Sequence, residues 1–273
     1  MKVLVTGHRG FIGQNLVKYL HEHTNWEVNG WEWGDSNYPT VDGNDWIVHL
    51  GAISSTTETD VDKVLKQNLE FSQWLYNACK INFVNLQYAS SASVYGLQSD
   101  FKESSNVSPV TPYAWSKYLF DRWVHRQDHA YNCVVQGFRY FNVYGNFEDH
   151  KVGQASPVST FKKQALDTGK IKLFHDSINS RRDFIAVEDI CRLHLSFMQH
   201  HESGIWNMGT GKPTNFEDIA LAISKKYPAE LEYIDMPDKL KGSYQKYTCA
   251  DITKLESTLG PQKFITVEEW LIR

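Results

Sequence analysis

The chain has 273 residues, 41% of them apolar and 14% aromatic, and carries a formal net charge of −4. That length and composition support a full hydrophobic core and exclude a disordered chain, while the slightly acidic balance argues against nucleic acid as a partner. The expected partner is a small molecule.

Cys79, Cys133, Cys191 and Cys249 lie far apart with no Cys-x-x-Cys, so neither a metal site nor a disulfide framework is expected, and reduced thiols point to a cytoplasmic protein. No apolar run approaches the roughly 20 residues of a membrane helix, and the N-terminus enters a strand-like stretch without the apolar segment of a signal peptide.

In chain order, strand-like runs occur at "KVLVT" (2–6), "WEVNGW" (26–31), "DWIVHLGA" (45–52), "FVNLQYASS" (83–91) and "CVVQGFRYFNVYG" (133–145). Helical periodicity separates most of them, over 11–22, 60–80 and 113–129, and such alternation predicts a parallel sheet covered by helices on both faces. The stretch from Gly34 to Asp45 is too short and too rich in turn residues for a helix, so one crossover is expected to be shortened. Beyond Gly145 the pattern predicts a helix over 155–168, strands at 171–174 and 183–187, and a helix over 188–200. A further helix from Thr214 and a strand at 231–234 then precede the polar segment "PDKLKGSYQKYTCAD".

Chemistry enters at "VTGHRGFIG", where Gly7, Gly10 and Gly13 lie three apart between a strand and a helix. A helix that starts directly after such a turn aims unpaired N–H groups and a partial positive charge at whatever sits there, which suits a diphosphate. Gly7 permits the turn, Gly10 admits a ligand close to the backbone, and Gly13 lets the helix pack on the strand. Glu32, about 20 residues on at the end of the second strand, suits a ribose 2′-hydroxyl. It would repel a 2′-phosphate, so the turn is read as an NAD site with NADP the alternative and Arg9 assisting the diphosphate.

The second constellation is "TPYAWSK", where Tyr113 and Lys117 leave the same face of a helix. An ammonium near a phenol favours the phenolate, which would make Tyr113 a base near neutral pH. Upstream, "YASSASVYG" ends a strand with Ser91, placed to hydrogen-bond a substrate hydroxyl or the phenol.

Together these residues resemble the extended short-chain dehydrogenase/reductase superfamily, the NAD-dependent epimerases and dehydratases of nucleotide sugars, over nearly the whole chain. The resemblance implies a Rossmann-type doubly wound parallel sheet over 1–148 with 186–212 returning to it, and an interleaved sugar-nucleotide lobe over 149–185 and 213–273. It makes Ser91, Tyr113 and Lys117 the catalytic triad. It places NAD against Gly7, Arg9, Gly10, Phe11, Ile12, Gly13 and Glu32, then Leu50, Gly51, Ala52, Ser54 and Asn68, then Tyr113, Lys117 and Val143. The helices over 60–80 and 113–129 resemble the pair through which superfamily members associate, implying a homo-oligomer.

Within the superfamily, "GAISSTTE", "GFRYFNVYG", "HKVGQAS", "RRDF", "GIWNMGTG" and "PDKLKGSYQ" are similar to the ADP-L-glycero-D-manno-heptose 6-epimerases, which invert carbon 6 of a bacterial lipopolysaccharide sugar. That likeness implies Lys151 as a second acid/base facing Tyr113. It also implies Ser91, Asn142, Phe174, Ser177, Arg182 and Tyr244 as contacts of the nucleotide sugar. Inverting a carbinol through a ketone requires a proton donor on each face, and an arginine such as Arg182 suits a diphosphate bidentately.

The sequence departs from that branch at Gly153, where the family has a serine, at Thr160, where it has a histidine, and in a shorter segment after Glu32 that lacks its NADP-binding lysines. Rival readings are another nucleotide-sugar epimerase, an epimerase-reductase, a 4,6-dehydratase, and a silent NAD(P)-binding regulatory protein. The dehydratase would need an Asp-Glu pair where Ala92 and Ser93 stand.

Overall fold

The structure, a computed structural model, describes the chain except residues 36, 56, 128–132, 149–153 and 239–244. Its contacts divide the chain into two compact units, one of residues 1–96, 107–140 and 191–206, the other of 97–106, 141–190 and 207–273.

The first unit is built on a six-stranded sheet. In chain order its strands are β1 (Lys2–Thr6), β2 (Glu27–Trp31), β3 (Trp46–His49), β4 (Asn85–Ser91) and β5 (Val135–Tyr140), with β9 (Gly204–Met208) at the edge. The spatial order is β2-β1-β3-β4-β5-β9, and β2, β1, β3, β4 and β5 pair parallel throughout. Val3, Val5, Ile47 and Val48 are fully buried, as expected for parallel strands covered on both faces.

Helical segments between the strands include α1 (Phe11–His23), the run Val61–Asn82 and α4 (Pro112–His125), with α6 (Val187–Met198) preceding β9. Leu75, Tyr76 and Cys79 of that run pack with Phe120 and Val124 of α4 and with Leu86 and Tyr88 of β4 in one apolar cluster. Thr111 caps α4 by accepting the Ala114 N–H at 3.2 Å, and Pro112 follows at a first-turn position that needs no N–H. Between β2 and β3 the described residues contain no helix, matching the shortened crossover.

The predicted helix over 60–80 is not regular. It consists of α2 (Val61–Leu65), a π-helical turn (Lys66–Glu70) and α3 (Phe71–Asn82). The predicted strand at 133–145 also divides at Phe141, with β5 before it and β6 (Asn142–Tyr144) after it in a different sheet.

The second unit holds β6, α5 (Pro157–Thr168), β7 (Lys170–Phe174), a 3-10 turn (Ser177–Asn179), β8 (Arg181–Ala186), β10 (Pro213–Asn215), α7 (Phe216–Lys226) and β11 (Glu230–Ile234). Two small sheets form, β10-β8-β6 and β11-β7, and Ile171, Leu173, Phe184, Ile219, Ile223 and Trp270 share its core. Buried Asp183 on β8 organises this unit. It accepts the N–H groups of Thr210 (2.8 Å), Gly211 (2.9 Å) and Ala250 (2.9 Å) and the Thr210 hydroxyl (2.6 Å). Among the described residues no helix is long and apolar enough to cross a membrane.

Candidate active site

The glycine turn has the spacing it has because little else fits. Gly7 adopts φ +73°, and a Cβ there would lie 2.5 Å from the Gly51 nitrogen; on Gly13 it would lie 2.1 Å from the Gly7 carbonyl oxygen. The turn is therefore pressed between the start of α1 and the chain leaving β3. Gly10 is the N-cap of α1, no side chain caps it, and the first turn holds no acidic residue. A helix start with no side-chain cap and no acid in its first turn suits an anion.

Glu32, just past β2, joins this turn. Its Oε2 accepts the Arg9 N–H at 3.2 Å and lies 3.9 Å from His8 Nδ1. The backbone of Arg9 is thus tied to the acid while its side chain is exposed. On the β3 side, Leu50 N donates to Thr6 O (3.1 Å) and Gly51 N to Thr6 Oγ1 (3.4 Å).

A directed hydrogen-bond chain runs from here toward α4. Ser72 Oγ donates to Asn68 O at 2.7 Å, so it accepts from His49 Nε2 at 2.8 Å. His49 Nδ1 then accepts from Thr6 Oγ1 at 2.7 Å. Burial drives the His49 imidazole down to a pKa of about 3, and the Lys117 charge pushes the same way. His49 is thus a neutral connector.

Asn68, inside the π turn, grips the loop after β3 from both sides. Its Oδ1 accepts Ile53 N (2.8 Å), and its Nδ2 donates to Ile53 O (2.9 Å) and Ser116 Oγ (3.1 Å). Ser116 in turn donates to Tyr113 O at 2.7 Å. The glycine turn, the loop carrying Leu50, Gly51, Ala52 and Ser54, and the helix carrying Tyr113 are therefore one hydrogen-bonded assembly.

Ser91 ends β4, in register with Tyr140 of β5, and its Oγ accepts Ser93 N at 3.1 Å. Tyr113 is half-buried, and burial raises its phenol while a hydrogen bond to Ser91 opposes the rise. Lys117 Nζ donates to Ala89 O at 2.8 Å and lies 6.0 Å from the Tyr113 ring centroid. Burial lowers its pKa to about 8, with Asp121 opposing. Ser91, Tyr113 and Lys117 thus meet as their spacing suggests. The expected lowering of the phenol is corrected, because desolvation of Tyr113 is the larger effect here.

The second unit carries the remaining described positions. Asn142 and Val143 lie on β6 beside Phe184 and Ile185 of β8, and Phe174 ends β7. Ser177 starts the 3-10 turn, and its buried hydroxyl has no hydrogen-bond partner among the described residues. Arg182, half-buried on β8, pairs in register with Thr214 of β10 and sits 6.0 Å from the Phe216 ring. The Ser177 turn packs on those same neighbours, β10 and α7. Lys151 and Tyr244 lie outside the described residues.

Two stretches of the chain, residues 3–41 and 36–209, match the NAD dependent epimerase/dehydratase family. The chain belongs to this family. Its cofactor is NAD, and the glycine turn fits that cofactor: a cradle that added Cβ atoms would fill, an uncapped helix start, and an acid at the second strand's end.

Solved structures with the same fold include ADP-L-glycero-D-manno-heptose-6-epimerase from Helicobacter pylori, at 24% identity and TM-score 0.87, over 99% of this chain and 94% of that one. Another is UDP-N-acetylglucosamine 4-epimerase from Methanobrevibacter ruminantium, determined with UDP-N-acetylmuramic acid, at 23% identity and TM-score 0.87 over 99% and 97%. An NAD-dependent NDP-hexosamine 5,6-dehydratase of tunicamycin biosynthesis follows at 21% identity and TM-score 0.83 over 99% and 95%. As a member of the NAD dependent epimerase/dehydratase family the chain is an NAD-dependent enzyme.

Sequence reasoning missed His49, Ser72 and Ser116 as linkers and Asp121 with Arg139 as a buried ion pair. The one available signal was polar side chains standing in otherwise apolar runs, such as His49 in "DWIVHLGA".

Proposed function

We propose that the protein is a nucleotide-sugar epimerase of the ADP-glycero-manno-heptose 6-epimerase type. The supporting observation is that Ser91, Tyr113 and Lys117 meet at the carboxyl end of β4, in the unit that carries the glycine turn and Glu32. When bound, NAD supplies a hydride acceptor that returns the hydride, so the reaction has no net oxidation.

Tyr113 takes the carbinol proton on one face, Ser91 orients the hydroxyl by hydrogen bonding, and Lys117 holds positive charge near the phenol. Lys151 provides the second acid/base, so that a proton is available on either face of the ketone. The first N–H groups of α1, with Arg9, hold the cofactor diphosphate, and Glu32 takes the ribose hydroxyl. Asn68 shapes the cofactor loop through Ile53. Arg182 grips the sugar-nucleotide diphosphate beside Ser177, with Asn142, Phe174 and Tyr244 completing the contacts.

A homo-oligomer forms through α3 and α4, where Trp74, Ile81, Trp115 and Leu119 are exposed, and the enzyme works in the cytoplasm. The dehydratase reading is disfavoured by Ala92 and Ser93, which offer no carboxyl to eliminate a hydroxyl.

The test is to incubate the protein with NAD and ADP-glycero-manno-heptose and follow the carbon-6 epimer ratio by NMR, with ADP-, GDP-, UDP- and dTDP-sugars alongside. Exchange of epimers that Tyr113→Phe or Lys151→Ala slows at least about a hundredfold is expected. No epimer change with any sugar, or a product lighter by one water, overturns the reading.

A further inference from the structure

One buried charge in the first unit has no part in the chemistry above. Asp121 stands on α4 one turn beyond Lys117, which itself stands one turn beyond Tyr113, so all three leave one face of the helix. Its carboxylate is 2% exposed, and the guanidinium it meets, Arg139 on β5, is 6% exposed. Asp121 Oδ2 accepts Arg139 Nε at 3.1 Å and the Ser90 hydroxyl at 2.9 Å. Arg139 Nη1 continues to the Tyr95 hydroxyl at 3.1 Å, in the turn that follows Ser91.

One carboxylate therefore joins the helix of Tyr113 and Lys117 to the strand residue adjoining Ser91, and, through Arg139, to the turn after it. Because successive strand side chains point to opposite faces, anchoring Ser90 also sets the direction in which Ser91 leaves β4.

The same group bears on charge. Lys117 is buried, and desolvation disfavours its ammonium. Tyr113 and Asp121 flank it on its own helix and neutral His49 faces it from β3, while Tyr88 on β4 and Arg139 on β5 adjoin Asp121. Burial, with the Asp121 carboxylate adding to it, pushes the Tyr88 phenol well up, so Tyr88 supplies no charge. Asp121 is the carboxylate that favours the charged form of Lys117.

We propose that Asp121 is a positioning residue: its buried carboxylate locks the Ser91 strand to the Tyr113 helix and stands one helical turn from Lys117 as its counter-charge. The inference rests on the roles given above to Ser91, Tyr113 and Lys117, yet its decisive measurement needs no substrate.

Lysine labelled at Cε with carbon-13 reports each ammonium by NMR, and loss of one signal in Lys117→Arg assigns Lys117. In the wild type the Lys117 signal is expected to titrate near pH 8, the value its burial and Asp121 together set. In Asp121→Asn the midpoint falls by about one pH unit, and Asp121→Glu restores it.

Should the loss of Arg139's carboxylate partner unfold Asp121→Asn, the double variant Asp121→Asn/Arg139→Met removes both charges; loss of the more distant positive charge returns part of the fall, and a midpoint still below the wild type's is expected. On epimerisation of ADP-glycero-manno-heptose, the alkaline limb of kcat moves down with the midpoint. That costs about tenfold at pH 9, while KM changes less than about threefold. An unmoved Lys117 midpoint in a folded variant overturns the proposal, as does a moved midpoint with an unmoved limb. If Tyr113→Phe is fully active, the proposed function falls instead, and the NMR titration still decides whether Asp121 sustains the Lys117 charge.

Discussion

Two fully buried imidazoles make stability fall with acid in a way that can be calculated. His49 accepts from Thr6 and donates to Ser72, while His194 Nε2 accepts from the Tyr140 hydroxyl at 2.6 Å and its Nδ1 donates to Gln87 Oε1 at 2.6 Å. In both, burial lowers the pKa to about 3, against an ordinary value of 6.5. Each ring is neutral in the folded state down to pH 3, whereas the unfolded chain takes up a proton below pH 6.5. Folding therefore carries a stability contribution that is intact above pH 6.5 and is lost progressively between pH 6.5 and 3.

At pH 5 the loss is set by the unfolded value alone, 1.5 units at about 1.4 kcal/mol each, or about 2 kcal/mol per histidine and about 4 kcal/mol for the pair. Urea unfolding at pH 7 and pH 5 measures it, and His49→Gln and His194→Gln each remove about 2 kcal/mol of the pH dependence. Proton NMR adds a direct check, since neither ring should titrate above pH 5. A titration of His49 near pH 6.5 in the folded protein, or variants whose pH dependence equals that of the wild type, refutes the reasoning.

Gly13→Ala places a Cβ 2.1 Å from the Gly7 carbonyl oxygen, so the turn must open; an unfolding free energy lower by about 1–3 kcal/mol and loss of NAD binding by calorimetry are expected. Glu32→Gln removes the negative charge that faces a 2′-phosphate. NAD affinity is expected to fall and the NAD-over-NADP preference to shrink at least about tenfold, or 1.4 kcal/mol, by titration of both cofactors. A wild type that binds NADP tenfold more tightly than NAD shows instead that Arg9 outweighs Glu32.

The parallel sheet was legible because strand and helix periods are local, and the alternation from Lys2 to His125 leaves few other architectures. The glycine turn was legible for a similar reason: three glycines at fixed spacing between a strand and a helix serve a backbone geometry that few other residues permit. Two local features escaped. The π turn at Lys66–Glu70 leaves no mark in a helical pattern, since it follows from what Asn68 meets, the backbone of Ile53. The break at Phe141 is hidden inside one continuous apolar run, because both halves are extended and differ in the sheet they join.

The order of elements, the turn and the Tyr113–Lys117 pair on one helix face all follow from spacing along a few turns or strands of chain. The directed chain through Thr6, His49, Ser72 and Asn68 and the meeting of Asp121 with Ser90 and Arg139 arise from packing in three dimensions. So does the burial that, rather than the neighbouring ammonium, governs the Tyr113 phenol. Most of these partners stand far apart in the chain, up to 43 residues for Thr6 and His49, and no periodicity records which of them will arrive.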